Sequence, residues 1–212
     1  MFFTQNSYNI ERFKTELNSE EYLSSKKKII KKINSRDFGF LQDIFDDNLD
    51  EIIFISKKLK NFKTVLFLGT GGSSLGGKTL VSFNNYLFEK SFPNIFFLEN
   101  IDEHSINCLV NRIDLNNTAV VVISKSGETI ETISQFFFIK NKMKSVKDKH
   151  NRFFVITENK KSTLKDIQES EGYYFIEHKK NIGGRFSIFS VVGLLPAAIS
   201  GFKINEFREG GL

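Results

Sequence analysis

Five short apolar runs without polar alternation constrain this chain most. They occupy residues 64–68, 94–98, 118–123, 152–157 and 173–176. The third, Thr118-Ala119-Val120-Val121-Val122-Ile123, is almost entirely β-branched. A strand exposed on one face alternates apolar and polar residues, whereas one covered on both faces does not. Helix-length segments separate the runs, at about 73–89, 103–112, 129–145 and 162–170. This β–α–β–α rhythm predicts an α/β fold, a doubly wound, five-stranded, mostly parallel sheet with helices on both faces. In such a sheet, ligands bind beyond the carboxyl ends of the strands, near the point where strand order reverses.

The flanking segments complete the organisation. Residues 1–60 are polar with three- and four-residue apolar spacing, as in Ile29, Ile30, Ile33, Leu41, Ile44 and Phe45. That spacing predicts two or three helices packing on the core. Residues 61–205 are expected to form the ligand-binding domain, and 206–212 to begin whatever follows. A glycine turn, Gly183-Gly184, precedes an apolar helix-like stretch at 187–199.

Composition narrows the function class. The chain has 212 residues, 40% of them hydrophobic and 26% charged, which suits a globular protein with one sizeable core. Its formal net charge of +5 favours an anionic ligand. The densest basic run, residues 25–32, has no interleaved aromatics and reads as a solvated helix face, not a nucleic-acid patch. A single cysteine, Cys108, excludes an intrachain disulfide or a Cys-based metal site. With no signal-like N-terminus and no long apolar span, a cytoplasmic, membrane-free setting is expected.

Two loops concentrate the chemistry. After the first run comes Gly69-Thr70-Gly71-Gly72-Ser73-Ser74-Leu75-Gly76-Gly77-Lys78-Thr79. Glycines let backbone N–H groups approach an anion, and the following helix adds its unpaired N–H groups. Gly72 to Thr79 also fits the P-loop pattern G-x-x-x-x-G-K-T. A P-loop enzyme needs a strand-end carboxylate for magnesium, and the third run ends in Ser124-Lys125, leaving only Glu99 after the second. After the third run comes Ser124-Lys125-Ser126-Gly127-Glu128-Thr129, with three hydroxyls in six residues. Hydroxyls around a glycine nest suit a phosphate monoester without a metal. The plainer alternative is that Thr129 simply caps a helix.

Together these loops resemble the phosphoglucose isomerase family, within the wider group of sugar-isomerase (SIS) domains. The resemblance rests on four motifs in family order: Gly69-Thr70-Gly71-Gly72-Ser73-Ser74-Leu75-Gly76; Asn100-Ile101-Asp102; Ser124-Lys125-Ser126 with Thr129 and Glu131-Thr132; and Gly183-Gly184-Arg185-Phe186-Ser187 before an apolar helix. The resemblance implies a phosphate site from Ser124, Ser126 and Thr129 with Lys125 nearby. It implies that Gly72 and Ser73 face the sugar phosphate and that Arg185 stabilises charge on a cis-enediol(ate). The implied reaction interconverts glucose 6-phosphate and fructose 6-phosphate without a cofactor, in a homodimer. The family's glutamate base, histidine and lysine belong to motifs downstream of Gly183–Ser187, and the chain ends soon after it. The expectation is therefore an amino-terminal fragment, inactive alone. His104 and His150 read as surface residues, and His178 as the one histidine close to the site. A non-catalytic sugar-phosphate sensor is the alternative, with a P-loop nucleotide-binding protein behind it.

Overall fold

A computed structural model describes residues 19–35, 39, 44, 49–87 and 93–211. Five parallel strands form one sheet: β1 (Thr64–Leu68), β2 (Asn94–Leu98), β3 (Thr118–Ile123), β4 (Phe153–Thr157) and β5 (Tyr174–Glu177). Their order is β2-β1-β3-β4-β5, all pairs parallel. The order reverses between β1 and β3, which are neighbours in register from Thr64↔Thr118 to Leu68↔Val122. The two hydroxyl- and glycine-rich loops therefore leave the sheet side by side.

The first helix, α1 (Glu20–Asn34), buries none of its residues. The later helices cover both faces of the sheet. On one lie α2 (Asp50–Leu59), α3 (Leu75–Leu87), α7 (Val191–Ile199) and α8 (Ile204–Glu209). On the other lie α4 (Glu103–Val110), α5 (Ile130–Lys142) and α6 (Thr163–Glu171). Alternate residues of each central strand feed the two layers: Val65 and Phe67 go to the first, Leu66 and Leu68 to the second. That is why the sequence shows no polar alternation in β1, β3 and β4, which are buried at every position. β2 differs from the expectation. It is an edge strand, and Asn94 and Phe96 are exposed while Leu98 is buried. Its phenylalanines look like core residues in the sequence, but only one neighbouring strand covers them.

The helix ends follow local chemistry. The helix expected from about residue 73 begins at Leu75, because Gly71–Ser73 form a 3-10 turn first. The apolar segment from 187 divides into a 3-10 stretch, Gly184–Phe189, and α7, whose N-cap Ser190 accepts a hydrogen bond from Val192 N at 3.2 Å. Asp102 and Ser162 cap α4 and α6 in the same way. Of the helices expected in residues 1–60, the described residues include α1 and α2. α1 buries none of its residues, α2 buries Ile52, Ile55, Ser56 and Leu59, Ile44 is buried as well, and Leu41 and Phe45 lie outside the described residues. No helix among the described residues is long and apolar enough to cross a membrane.

α3 and α7 touch through glycine. A Cβ on Gly77 would lie 2.5 Å from Pro196 Cγ and 3.1 Å from Val192 O. Pro196 has no N–H, so Val192 O lacks its intrahelical donor and the helix surface is open there. Gly77 fills that opening with bare backbone. Packing accounts for this glycine of the P-loop pattern.

Candidate functional site

The second loop gathers its hydroxyls. Ser124 is buried, and its Oγ shares a hydrogen bond with Thr129 Oγ1 at 2.8 Å and lies 3.5 Å from Ser126 Oγ. It also accepts from Gly127 N at 3.1 Å. Ser126 Oγ accepts from Glu128 N at 3.1 Å. Gly127 has φ +72, a left-handed conformation that favours glycine. Thr129 is the N-cap residue of α5, but its hydroxyl makes no cap bond and turns to Ser124 instead. The first N–H groups of α5 have no intrahelical acceptor. They sit beside the Ser126 and Thr129 hydroxyls, at the positive end of the helix dipole. Oriented hydroxyls and unpaired helix N–H groups are the donor types that suit an anion.

Lys125 takes a different direction from the three hydroxyls. Its Nζ donates to Lys180 O at 2.7 Å and lies 3.7 Å from Glu158 Oε1. It ties the loop to the segment after β5. Glu158 also pairs with Lys160 at 2.7 Å, and this contact, above all, holds its carboxyl below the usual range. His178 is buried, and its Nδ1–H donates to Lys179 O at 3.1 Å. His104 and His150 are exposed, as expected.

The first loop is built around contacts with the Gly183–Ser187 segment. A Cβ on Gly72 would lie 2.4 Å from Gly184 C and 2.6 Å from Gly184 Cα. Ser187 Oγ lies 3.0 Å from Gly72 O and 2.7 Å from Gly184 O, so one hydroxyl bridges both loops. Gly72 thus faces Gly184. Ser73 N donates to Thr70 O at 3.1 Å in the 3-10 turn. Arg185, beside this contact, is exposed and forms no ion pair with a described residue. A turn arginine held by a structural salt bridge would look otherwise.

The lysine of the P-loop pattern is already engaged. Lys78 Nζ pairs with Glu99, whose Oε1 accepts from Ser74 Oγ at 2.7 Å. Lys78 is the main reason the Glu99 carboxyl stays below its ordinary value, with Ser74 adding to it against the opposing effect of burial. Thr79 Oγ1 donates back to Leu75 O at 2.8 Å inside the helix. Lysine, threonine, Gly77 and the candidate magnesium carboxylate are all accounted for within the fold.

Beyond the carboxyl ends of β1 and β2 lies an open depression of about 730 Å³, lined by Thr70, Gly71, Glu99, Asn100, Ile101, Asp102 and Glu131. Asn100, from the second motif, is exposed and adds amide donors and an acceptor suited to sugar hydroxyls. Leu75, Ile101, Ile130 and Phe186 are exposed, and Ile101 lines the depression. The sequence alone does not single out Glu128 as a structural group. Its carboxylate accepts from Thr163 N at 2.6 Å and Thr163 Oγ1 at 2.8 Å, the backbone N–H first among the causes holding it below the usual range. Its partner is 35 residues away, beyond the reach of a local pattern.

Known proteins share both sequence and geometry with this chain. Residues 44–211 match the family described as phosphoglucose isomerase. A probable glucose-6-phosphate isomerase of Methanococcus maripaludis is 33% identical over 200 residues, covering 90% of this chain and 44% of that protein. A hypothetical protein from Thermus thermophilus superposes with a TM-score of 0.76 at 27% identity, over 90% of this chain and 48% of the other. A glucose-6-phosphate isomerase from Chlamydia trachomatis does so with a TM-score of 0.63 at 29% identity, over 79% of this chain and 31% of the other. The chain thus spans less than half the length of each of these relatives.

Proposed function

Since the chain belongs to the phosphoglucose isomerase family, we propose that it provides the substrate-holding part of a glucose-6-phosphate isomerase. The observation that carries the reading is the hydroxyl cluster of Ser124, Ser126 and Thr129 at the start of α5, where the strand order reverses. The cradle takes the 6-phosphate. A phosphate dianion gains from oriented hydroxyls and helix N–H groups without a metal. The sugar then extends across the depression toward Gly72 and Arg185.

Aldose–ketose interconversion moves a proton between C2 and C1 and places negative charge on the sugar oxygens in between. Arg185 supplies a permanently charged, planar donor fork for that charge. Because it has no ion-pair partner among the described residues, no existing ion pair must break first. The proton itself needs a base of suitable pKa. Glu99 is held by Lys78, Asp102 caps α4 and Glu128 is held by Thr163, and all three carboxyls lie below their ordinary values. Each is a weak base for a sugar C–H. We assign this chain binding and charge stabilisation.

Titration calorimetry with fructose 6-phosphate tests the reading. The chain should bind it, should not bind unphosphorylated fructose, and should lose binding in the double variant Ser126→Ala, Thr129→Ala. Equal heats with and without the phosphate would overturn it.

A further inference from the structure

Glu128 places a negative charge inside a loop proposed to hold a dianion. The structure gives that charge another task. Three consecutive residues at the start of α6 lie against Gly127 and Glu128. Leu164 N donates to Gly127 O at 3.0 Å. A Cβ on Gly127 would lie 2.1 Å from Ser162 Oγ. The Glu128 carboxylate accepts from both Thr163 N and Thr163 Oγ1, and its own N–H holds Ser126 Oγ. One residue thus connects a hydroxyl of the cradle to the first turn of another helix.

Resting on the function proposed above, we infer that Glu128 is a positioning residue for phosphate-monoester recognition: its clamp on Thr163 fixes the Ser126 hydroxyl and the curvature of the Ser124–Thr129 loop. The negative charge lies at the positive end of α6, which offsets its repulsion of the ligand. A loop held only by its own bonds would have to be ordered by the ligand, at a cost in affinity.

The inference opposes simple electrostatics. Deleting a carboxylate beside an anion site should tighten binding if repulsion is its only effect. Glu128→Ala is instead expected to weaken fructose 6-phosphate binding about tenfold, in line with the loss of a helix cap, and Thr163→Val, which keeps the backbone N–H bond, to weaken it less. The double variant should be no weaker than Glu128→Ala alone, because both changes act on the same clamp. Glu128→Gln keeps an acceptor for Thr163 N and should stay near wild type. Amide exchange of residues 126–132 in the ligand-free chain supplies a readout independent of binding: it should quicken in Glu128→Ala and Thr163→Val. Unchanged or tighter binding by Glu128→Ala overturns the inference, as does unchanged exchange. If the wild type binds no fructose 6-phosphate, the functional reading falls, and the exchange rates still decide whether the clamp orders the loop.

Discussion

Gly72 and Gly184 meet backbone to backbone, and a side chain fits only from one side. A Cβ on Gly72 would strike Gly184 C at 2.4 Å, whereas a Cβ on Gly184 would come no closer than 3.4 Å to Gly72 Cα. The contact is therefore asymmetric. Gly72→Ala should lower stability by about 1–3 kcal/mol, the usual cost of overpacking, with Gly184→Ala costing much less. Urea unfolding of the two variants checks this. Equal losses would mean the loops separate freely.

Arg185 is expected to separate function from stability. Arg185→Ala should change unfolding free energy by no more than about 0.5 kcal/mol, as for an exposed side chain without structural bonds. It should weaken an aldonic acid phosphate by roughly 10- to 100-fold, the worth of a charged hydrogen bond. That ligand's carboxylate carries the charge an enediolate would carry. Fructose 6-phosphate, lacking the charge, should lose less. Comparing the two affinities by calorimetry tests the role, and an equal loss for both ligands would reduce Arg185 to a general binding group.

The Lys78–Glu99 pair makes a prediction in pH and another in ligand choice. Glu99 has a carboxyl pKa below its ordinary 4.5 when folded. Its contribution is complete above that value and disappears as pH falls through the lower, folded one. Lys78 is half exposed, so the contribution should stay below about 1 kcal/mol. Below pH 4.5, stability should fall less steeply in Glu99→Gln than in the wild type. Lys78→Ala should leave fructose 6-phosphate affinity unchanged, and the wild type should bind no magnesium–ATP. Nucleotide binding lost in Lys78→Ala would restore the P-loop reading.

Gln135 is the place to gain stability. It lies on the buried face of α5, and neither its amide oxygen nor its nitrogen meets a partner among the described residues. An unsatisfied buried amide costs about 1–3 kcal/mol. Gln135→Met keeps the volume without the polar atoms and should raise the denaturation midpoint. A lowered midpoint would show that the amide is solvated or bonded in solution.

The five strands are legible in the sequence because β1, β3 and β4 are buried on both faces and say so in every residue. Strand order is not, because apolar runs do not encode their neighbours. Phe96 in β2 shows the limit: the same residue type serves a core and a sheet edge. The cluster of Ser124, Ser126 and Thr129 can be read from spacing, since a six-residue loop brings its own members together. The direction of the Lys125 ammonium cannot, for its partner Lys180 is 55 residues away. Gly72 and Gly77 look in the sequence like loop glycines suited to a ligand, while the structure uses them for contacts with Gly184 and Pro196. A sequence shows that a side chain is missing, but not what occupies its place.

The bridge from Ser187 to Gly72 spans 115 residues of chain. A contact of that sequence separation is expected to form late in folding. β1 can pair with β3 only after α3, β2 and α4 have been formed or looped out between them, and the arginine-bearing turn arrives later still. Long-range parallel pairing of this kind slows folding. During synthesis, the glycine loop waits without Gly184 and Ser187 until nearly the whole described chain has emerged.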